Sequence, residues 1–314
     1  MKLREDIKEL LQIRYVKLHF VVQFLEDAVF TKDKANLLRG GMGEMLLRAN
    51  CIRNRECTSC DFESECIVQR TMYSKYEQQP EFVTKGDSIG YVIECENYEK
   101  FLKEGSVLKF NLILFGKTIV YFNQYLQAFY ALGLEGIGEN KARYQILAVK
   151  NSKNEDILIG NQVLMSNYEV QMLSDYVEYR LAQLKEYGLE QKIRFKTPLA
   201  LKYQGKLLEE FDIQAIATAI MRRIYMFLCY EGKRKEVSFF LDTLELPSII
   251  EQYHTEINVP RVSTRHHQRM IFKGIKGTAF LEQLEEDFLA LLLAGEIIHI
   301  GSNTSFGFGR YRVF

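Results

Sequence analysis

Ile137-Gly138-Glu139-Asn140 is followed two residues later by Arg143-Tyr144-Gln145-Ile146, and Ile300-Gly301-Ser302-Asn303 is followed six residues later by Arg310-Tyr311-Arg312-Val313. Both stretches read Ile-Gly-x-Asn and then Arg-Tyr-x-Ile/Val. Each follows an apolar helical pattern, Val120 to Leu132 in the first and Leu284 to Ala294 in the second. The second copy carries four extra residues, best placed at Phe306 to Gly309, and these add a glycine pair. One ending written twice in a chain of 314 residues points to duplication of a domain.

The starts of the two halves agree. Tyr15 to Phe24 alternates, with Val16, Leu18, Phe20, Val22 and Phe24 on one face and Lys17, His19 and Gln23 on the other, as in a half-buried strand. Ala35 to Asn50 is expected as a helix interrupted at Gly40 and Gly41. In the second half, Lys192 to Tyr203 is expected as a strand with an edge or kink at Pro198. Asp212 to Tyr230 is expected as a long helix with Asp212 as its N-cap. Each half therefore runs strand–helix–strands–helix–strand. That order fits the βαββαβ ferredoxin-like unit. The expected fold class is α+β, with two tandem ferredoxin-like domains over residues 1–155 and 156–314.

Composition narrows the class. Lys and Arg total 41, Asp and Glu total 41, and the net charge is zero. This excludes a uniformly basic coat for nucleic acid and permits a local patch. Arg261, Arg265, Arg269, Lys273 and Lys276 form one, with no acid among residues 261–276. No apolar run is long enough to span a bilayer, and Met1-Lys2-Leu3-Arg4-Glu5-Asp6 lacks a signal-peptide core, so no membrane and a cytoplasmic location are expected. The glycine-rich stretch 301–309, with Arg310 and Arg312 beside it, suggests backbone N–H groups close to a phosphate; the competing reading is a hairpin turn. It follows neither the dinucleotide nor the Walker pattern, so no nucleotide cofactor is expected.

Cys51, Cys57, Cys60 and Cys66 are spaced C-x5-C-x2-C-x5-C within loop 51–66, which is inserted in the first domain. Four thiolates complete a closed tetrahedral site, so structural zinc is expected, with an iron–sulfur cluster as the alternative. Cys95 and Cys229 lie in apolar surroundings and read as core residues.

Four segments in order carry a resemblance. They are Leu37-Leu38-Arg39-Gly40-Gly41-Met42-Gly43 leading into the cysteine loop; Phe110 to Gly138 with Leu114-Phe115-Gly116-Lys117; Lys196-Thr197-Pro198-Leu199-Ala200-Leu201-Lys202 with Arg222-Arg223 beyond it; and Arg261-Val262-Ser263-Thr264-Arg265 with Lys273-Gly274-Ile275-Lys276-Gly277 and the terminal glycine loop. Together they resemble the RAMP-superfamily endoribonucleases that process CRISPR precursor RNA, the sixth Cas family.

The resemblance implies a CRISPR repeat RNA substrate and cleavage within the repeats without a catalytic metal. The ribose 2′-hydroxyl attacks the adjacent phosphate, leaving a 2′,3′-cyclic phosphate and a 5′-hydroxyl. The implied RNA-binding set is Arg261, Ser263, Arg265, Arg269, Lys273, Gly301, Asn303, Thr304, Gly307, Gly309 and Arg310. A histidine near neutral pKa suits the base and acid roles. Many relatives place one at the first helix, yet residues 25–50 contain none. The candidates are His299 beside the glycine loop, His267 in the basic strand and His19 on the polar face of the first strand. The missing histidine motivates the alternative, a non-catalytic RAMP subunit that holds guide RNA among other Cas effector subunits.

Overall fold

The computed structural model describes residues 3–31, 33–73, 76, 79–83, 88–160, 162–233, 244–263 and 268–314; side chains are not described for Thr58, for residues 261–263, or for Gln268 and Arg269. The chain divides into two units, Tyr15–Lys75 with Phe82–Val170, and Met1–Arg14 with Tyr76–Glu81 and Gln171–Phe314. The division after Val170 differs from the expected 155/156. Strands Asp156–Ile159 and Gln162–Val163 continue the sheet of the first unit, with Leu158 paired to Val149. A hairpin that extends a sheet belongs with it.

A short helix α1 (Glu5–Leu10) precedes β1 (Arg14–Phe24). In the sheet of the first unit, β1 lies between β3 (Val107–Phe115) and β4 (Tyr144–Lys150), and β2 (Tyr91–Glu94) pairs with β3. The order is β2-β3-β1-β4, antiparallel at each step. The alternation of β1 holds: Val16, Leu18, Phe20, Val22 and Phe24 enter one core with residues of α2 (Lys34–Asn50) and α3 (Phe122–Glu135). Helix α2 starts at Asp33, whose Oδ1 accepts the Asn36 N–H, and runs through Gly40 and Gly41 without a break. A Cβ at Gly41 would lie 2.5 Å from Leu132, so glycine there lets α2 and α3 approach closely. The expected interruption is replaced by a helix contact.

The second unit repeats the order of elements. Helix α4 (Leu173–Tyr187) precedes β5 (Lys192–Phe195), α5 (Ile213–Tyr230), β6 (Ile249–Ser263), β7 (Gln268–Leu281), α6 (Glu286–Ile298) and β8 (Tyr311–Val313). Its sheet order is β6-β7-β5-β8, again antiparallel. Asp212 caps α5 as expected, its Oδ1 accepting the Ala215 N–H at 2.7 Å. Strand β5 ends at Phe195, earlier than the expected Tyr203. Pro198 cannot donate to a ladder, and Leu199 instead bridges to Ile275. Helix α6 is buried on every side from Phe288 to Ile298, packed by α4, α5 and β8.

Beyond the Leu199–Ile275 bridge, β6 and β7 continue as a two-stranded ribbon, from Ile257 opposite Gly274 to Ser263 opposite Gln268. Among the described residues, no helix is long and apolar enough to cross a membrane.

Candidate functional site

The glycine loop closes on itself. Gly301 has φ +82°, and a Cβ there would lie 2.7 Å from the Ala200 carbonyl oxygen. The next N–H, of Ser302, donates to that same oxygen at 2.7 Å. Gly309 N–H donates to the Pro198 carbonyl, Ile300 N–H to Gly309, Phe306 N–H to Asn303 and Gly307 N–H to Thr304. Thr197 Oγ1 donates to the Gly307 carbonyl at 2.7 Å and accepts the Arg310 N–H at 3.0 Å. Thr304, Gly307 and Gly309 are buried, while Gly301, Asn303 and Arg310 reach the surface in part. The expected phosphate cradle is thus corrected at Thr304, Gly307 and Gly309: these residues and most of the loop amides build the turn. The loop instead presents Phe306 and Phe308 to Phe272, with ring centroids 5.5 and 5.8 Å apart, and so grips the root of the ribbon.

His299 sits inside that turn. It is fully buried, and its Nδ1 lies 3.1 Å from the Phe308 carbonyl oxygen. A carbonyl only accepts, so Nδ1 carries the proton. The expectation of a catalyst at His299 meets a side chain enclosed in the fold, bracing the loop rather than facing solvent. Arg312 is likewise engaged. Its Nη1 donates to Glu296 at 3.0 Å, and Glu296, buried on α6, also accepts from Arg180 Nε at 3.1 Å, the Val313 N–H at 2.7 Å and the Tyr176 hydroxyl. Burial foremost, and then the Glu296 charge, hold the Tyr176 pKa far above its usual value, so it stays a donor.

On the ribbon, Lys273 is exposed and stands opposite Asn258. Arg261, Ser263 and Arg269 occupy ladder positions opposite Met270, Gln268 and Val262. Arg265 and His267 lie outside the described residues.

In the first unit, a row of polar side chains crosses the sheet on the face turned away from α2 and α3. The register places His19 opposite Asn111, and Asn111 opposite Glu94. His19 Nδ1 is 2.7 Å from Asn111 Oδ1, Asn111 Nδ2 donates to Glu94 Oε2 at 2.7 Å, and Lys17 Nζ is 2.9 Å from that oxygen. Glu94 is only 2% exposed, so its charge is held by the lysine and the amide. The chain of bonds fixes a tautomer. Asn111 gives its NH2 to the carboxylate, so its oxygen must accept from His19 Nδ1–H, which leaves Nε2 with a lone pair. Burial foremost lowers the His19 pKa, opposed by the Asn111 bond. The result is a neutral imidazole oriented as a proton acceptor. Sequence reading found His19 and Lys17 but missed Asn111 and Glu94. Alternation of β3 could have put Asn111 on the polar face; the strand register that joins it to His19 is not written in any local pattern.

The four cysteines of the insert all line one cavity of about 280 Å³, together with Leu47, Phe62 and Val68. None is in a disulfide. The Arg55 N–H donates to Cys51 Sγ at 3.2 Å. Among the described residues, no three His, Cys, Asp or Glu side chains stand close enough to hold a metal ion. Cys95 and Cys229 are core residues, and burial pushes the Cys95 thiol up to about 11.

Two family models match this chain in succession. The model named AF_1859_N, an N-terminal domain, matches residues 11–175. The model for the CRISPR-associated endoribonuclease Cas6 matches residues 193–311. The chain belongs to the family of the AF_1859_N N-terminal domain, and its residues 193–311 are similar to the Cas6 family. The chain is 22% identical over 282 residues to an uncharacterized protein of Archaeoglobus fulgidus, a match covering 88% of this chain and 90% of that one. Its fold resembles a chain of a partial Cas6-RT-Cas1–Cas2 complex, at TM-score 0.57 and 12% identity, covering 96% of this chain and 46% of that one. A chain of a Cas6-RT-Cas1–Cas2 complex matches at the same TM-score and identity, covering 96% of this chain and 29% of that one. This chain thus spans less than half the length of those two structures.

Proposed function

We propose that this chain is an endoribonuclease that cleaves CRISPR precursor RNA within its repeats, without a catalytic metal. The observation that carries the reading is the match of residues 193–311 to the CRISPR-associated endoribonuclease Cas6 family. Two sheets with the same strand order support tandem ferredoxin-like domains as its frame. Other Cas subunits are its expected protein partners.

His19 is the residue best prepared for the chemistry. Its Nε2 accepts the proton of the ribose 2′-hydroxyl as that oxygen attacks the adjacent phosphorus. The phosphorus–O5′ bond breaks, giving a 2′,3′-cyclic phosphate and, once O5′ is protonated, a 5′-hydroxyl. Lys273 and the basic positions of β6 and β7 supply cations to the RNA backbone. The support for His19 is its tautomer, its lowered pKa and its place in a row of polar groups on a sheet face.

The test is purified protein with repeat RNA in excess EDTA, followed by end-group analysis. A single cut leaving a 2′,3′-cyclic phosphate is the expected outcome. Tight binding with no cut would replace this reading by the guide-holding subunit, which the absence of a histidine from residues 25–50 favours. Neither binding nor cutting would remove both.

A further inference from the structure

The insert 51–66 has almost nothing apolar to hold it. Its two large apolar side chains edge the cavity but stay mostly in solvent, Ile52 at 71% and Phe62 at 53% exposed. Among its residues with described side chains, only Cys51, Cys57, Cys60, Glu63 and Cys66 are partly buried; the others are exposed. The partly buried side of the insert is therefore mostly its thiols. A segment of this length without a core of its own needs a cross-link to keep one conformation.

The backbone around the thiols is shaped to match. Asn54 and Arg55 both have positive φ, 46° and 71°, which turns the chain back so that the Arg55 N–H meets Cys51 Sγ. Cys57 and Cys60 stand at the two ends of a tight turn, with the Cys60 N–H on the Cys57 carbonyl. The spacing C-x5-C-x2-C-x5-C is symmetric about that turn. All four sulfur-bearing residues face the one cavity, no disulfide joins them, and no His or Lys lines it.

We propose that Cys51, Cys57, Cys60 and Cys66 bind one metal centre through four thiolates, and that this centre holds the insert in its fold. Closure draws the sulfurs inward across the cavity and releases their protons to solvent. Four thiolates leave no open position for substrate, so the centre is structural. A zinc ion is the expected occupant; an iron–sulfur cluster shares the same tetrathiolate chemistry. The inference does not rest on the RNA reading, since its readout is metal content.

The whole protein, purified without oxygen or chelator, is assayed for zinc, iron and acid-labile sulfide, and its visible spectrum is recorded. The expected result is about one zinc per chain with no colour. Iron with sulfide and a brown chromophore equally supports the four-thiolate centre and assigns the cluster as its occupant. The double variant Cys57→Ser with Cys60→Ser should retain less than about a tenth of the metal. Should that variant fail to fold, the wild-type protein answers the question: a mercurial thiol reagent should release the metal in step with four thiols. Well-folded wild-type protein with neither metal, and with these four thiols freely reactive or paired as disulfides, overturns the proposal.

Discussion

At the scale of single residues, His19 carries the sharpest expectations. His19→Ala should lower the cleavage rate by about 10²–10⁴-fold, the range for loss of a general base, while repeat-RNA affinity stays within about twofold. Single-turnover rates and a binding titration separate the two. The pH dependence has a definite sign. Burial lowers the folded pKa below the ordinary imidazole value, so the base stays neutral and cleavage persists below about pH 6.5. The same shift acts on stability in the opposite sense. The unfolded chain takes up a proton first as pH falls through that value, so stability declines from there down to the folded pKa. A rate midpoint above pH 6.5 would count against His19 as the base. Glu296 invites a second substitution. Its carboxylate joins α4, α6 and β8 through Arg180, Tyr176, Arg312 and the Val313 amide. Glu296→Ala should destabilise the fold by about 3–5 kcal/mol, because it leaves the buried Arg180 guanidinium without its counter-charge. Denaturant unfolding measures that loss.

At the scale of elements, the duplicated ending that opens the sequence argument is a shared piece of backbone. Glu139 N–H donates to the Val29 carbonyl as Ser302 N–H donates to Ala200, and Gly138 and Gly301 each pass so close to that same oxygen that no side chain fits. Gly301→Ala should therefore destabilise by about 1–3 kcal/mol, through both its positive φ and the clash, visible as a lower Tm. The repeat could be read because Gly138 and Gly301 both hold a positive φ, 85° and 82°, a local demand that leaves its mark in sequence. The alternation of β1 and the Asp212 cap were legible for the same reason. The unbroken α2 was not, because Gly41 is explained by Leu132, a residue of another helix. Thr304, Gly307 and Gly309 were misread because a glycine-rich loop looks the same whether its amides face a phosphate or its own carbonyls. His299 was misplaced for a related reason, since adjacency to the loop in sequence says nothing about which side it faces.

At the scale of the whole molecule, zero net charge means that binding to RNA must come from placement of charge rather than its sum. Lys273→Ala should weaken repeat-RNA binding and reduce the slope of log affinity against log salt by about 0.7–0.9, one phosphate contact's worth. An unchanged slope would remove the ribbon from the interface. The ribbon itself has a further consequence. From Ile257 to Ser263 it extends roughly 20 Å at the usual rise per residue, and among the described residues it pairs with one strand, β7. Its root is clamped by Phe306 and Phe308, and the four-stranded sheet is complete without it. Such an arm can be lengthened or shortened one residue pair at a time while the hydrophobic interior goes on folding unaltered. A change in the length of the ribbon is thereby separated from any change in the interior.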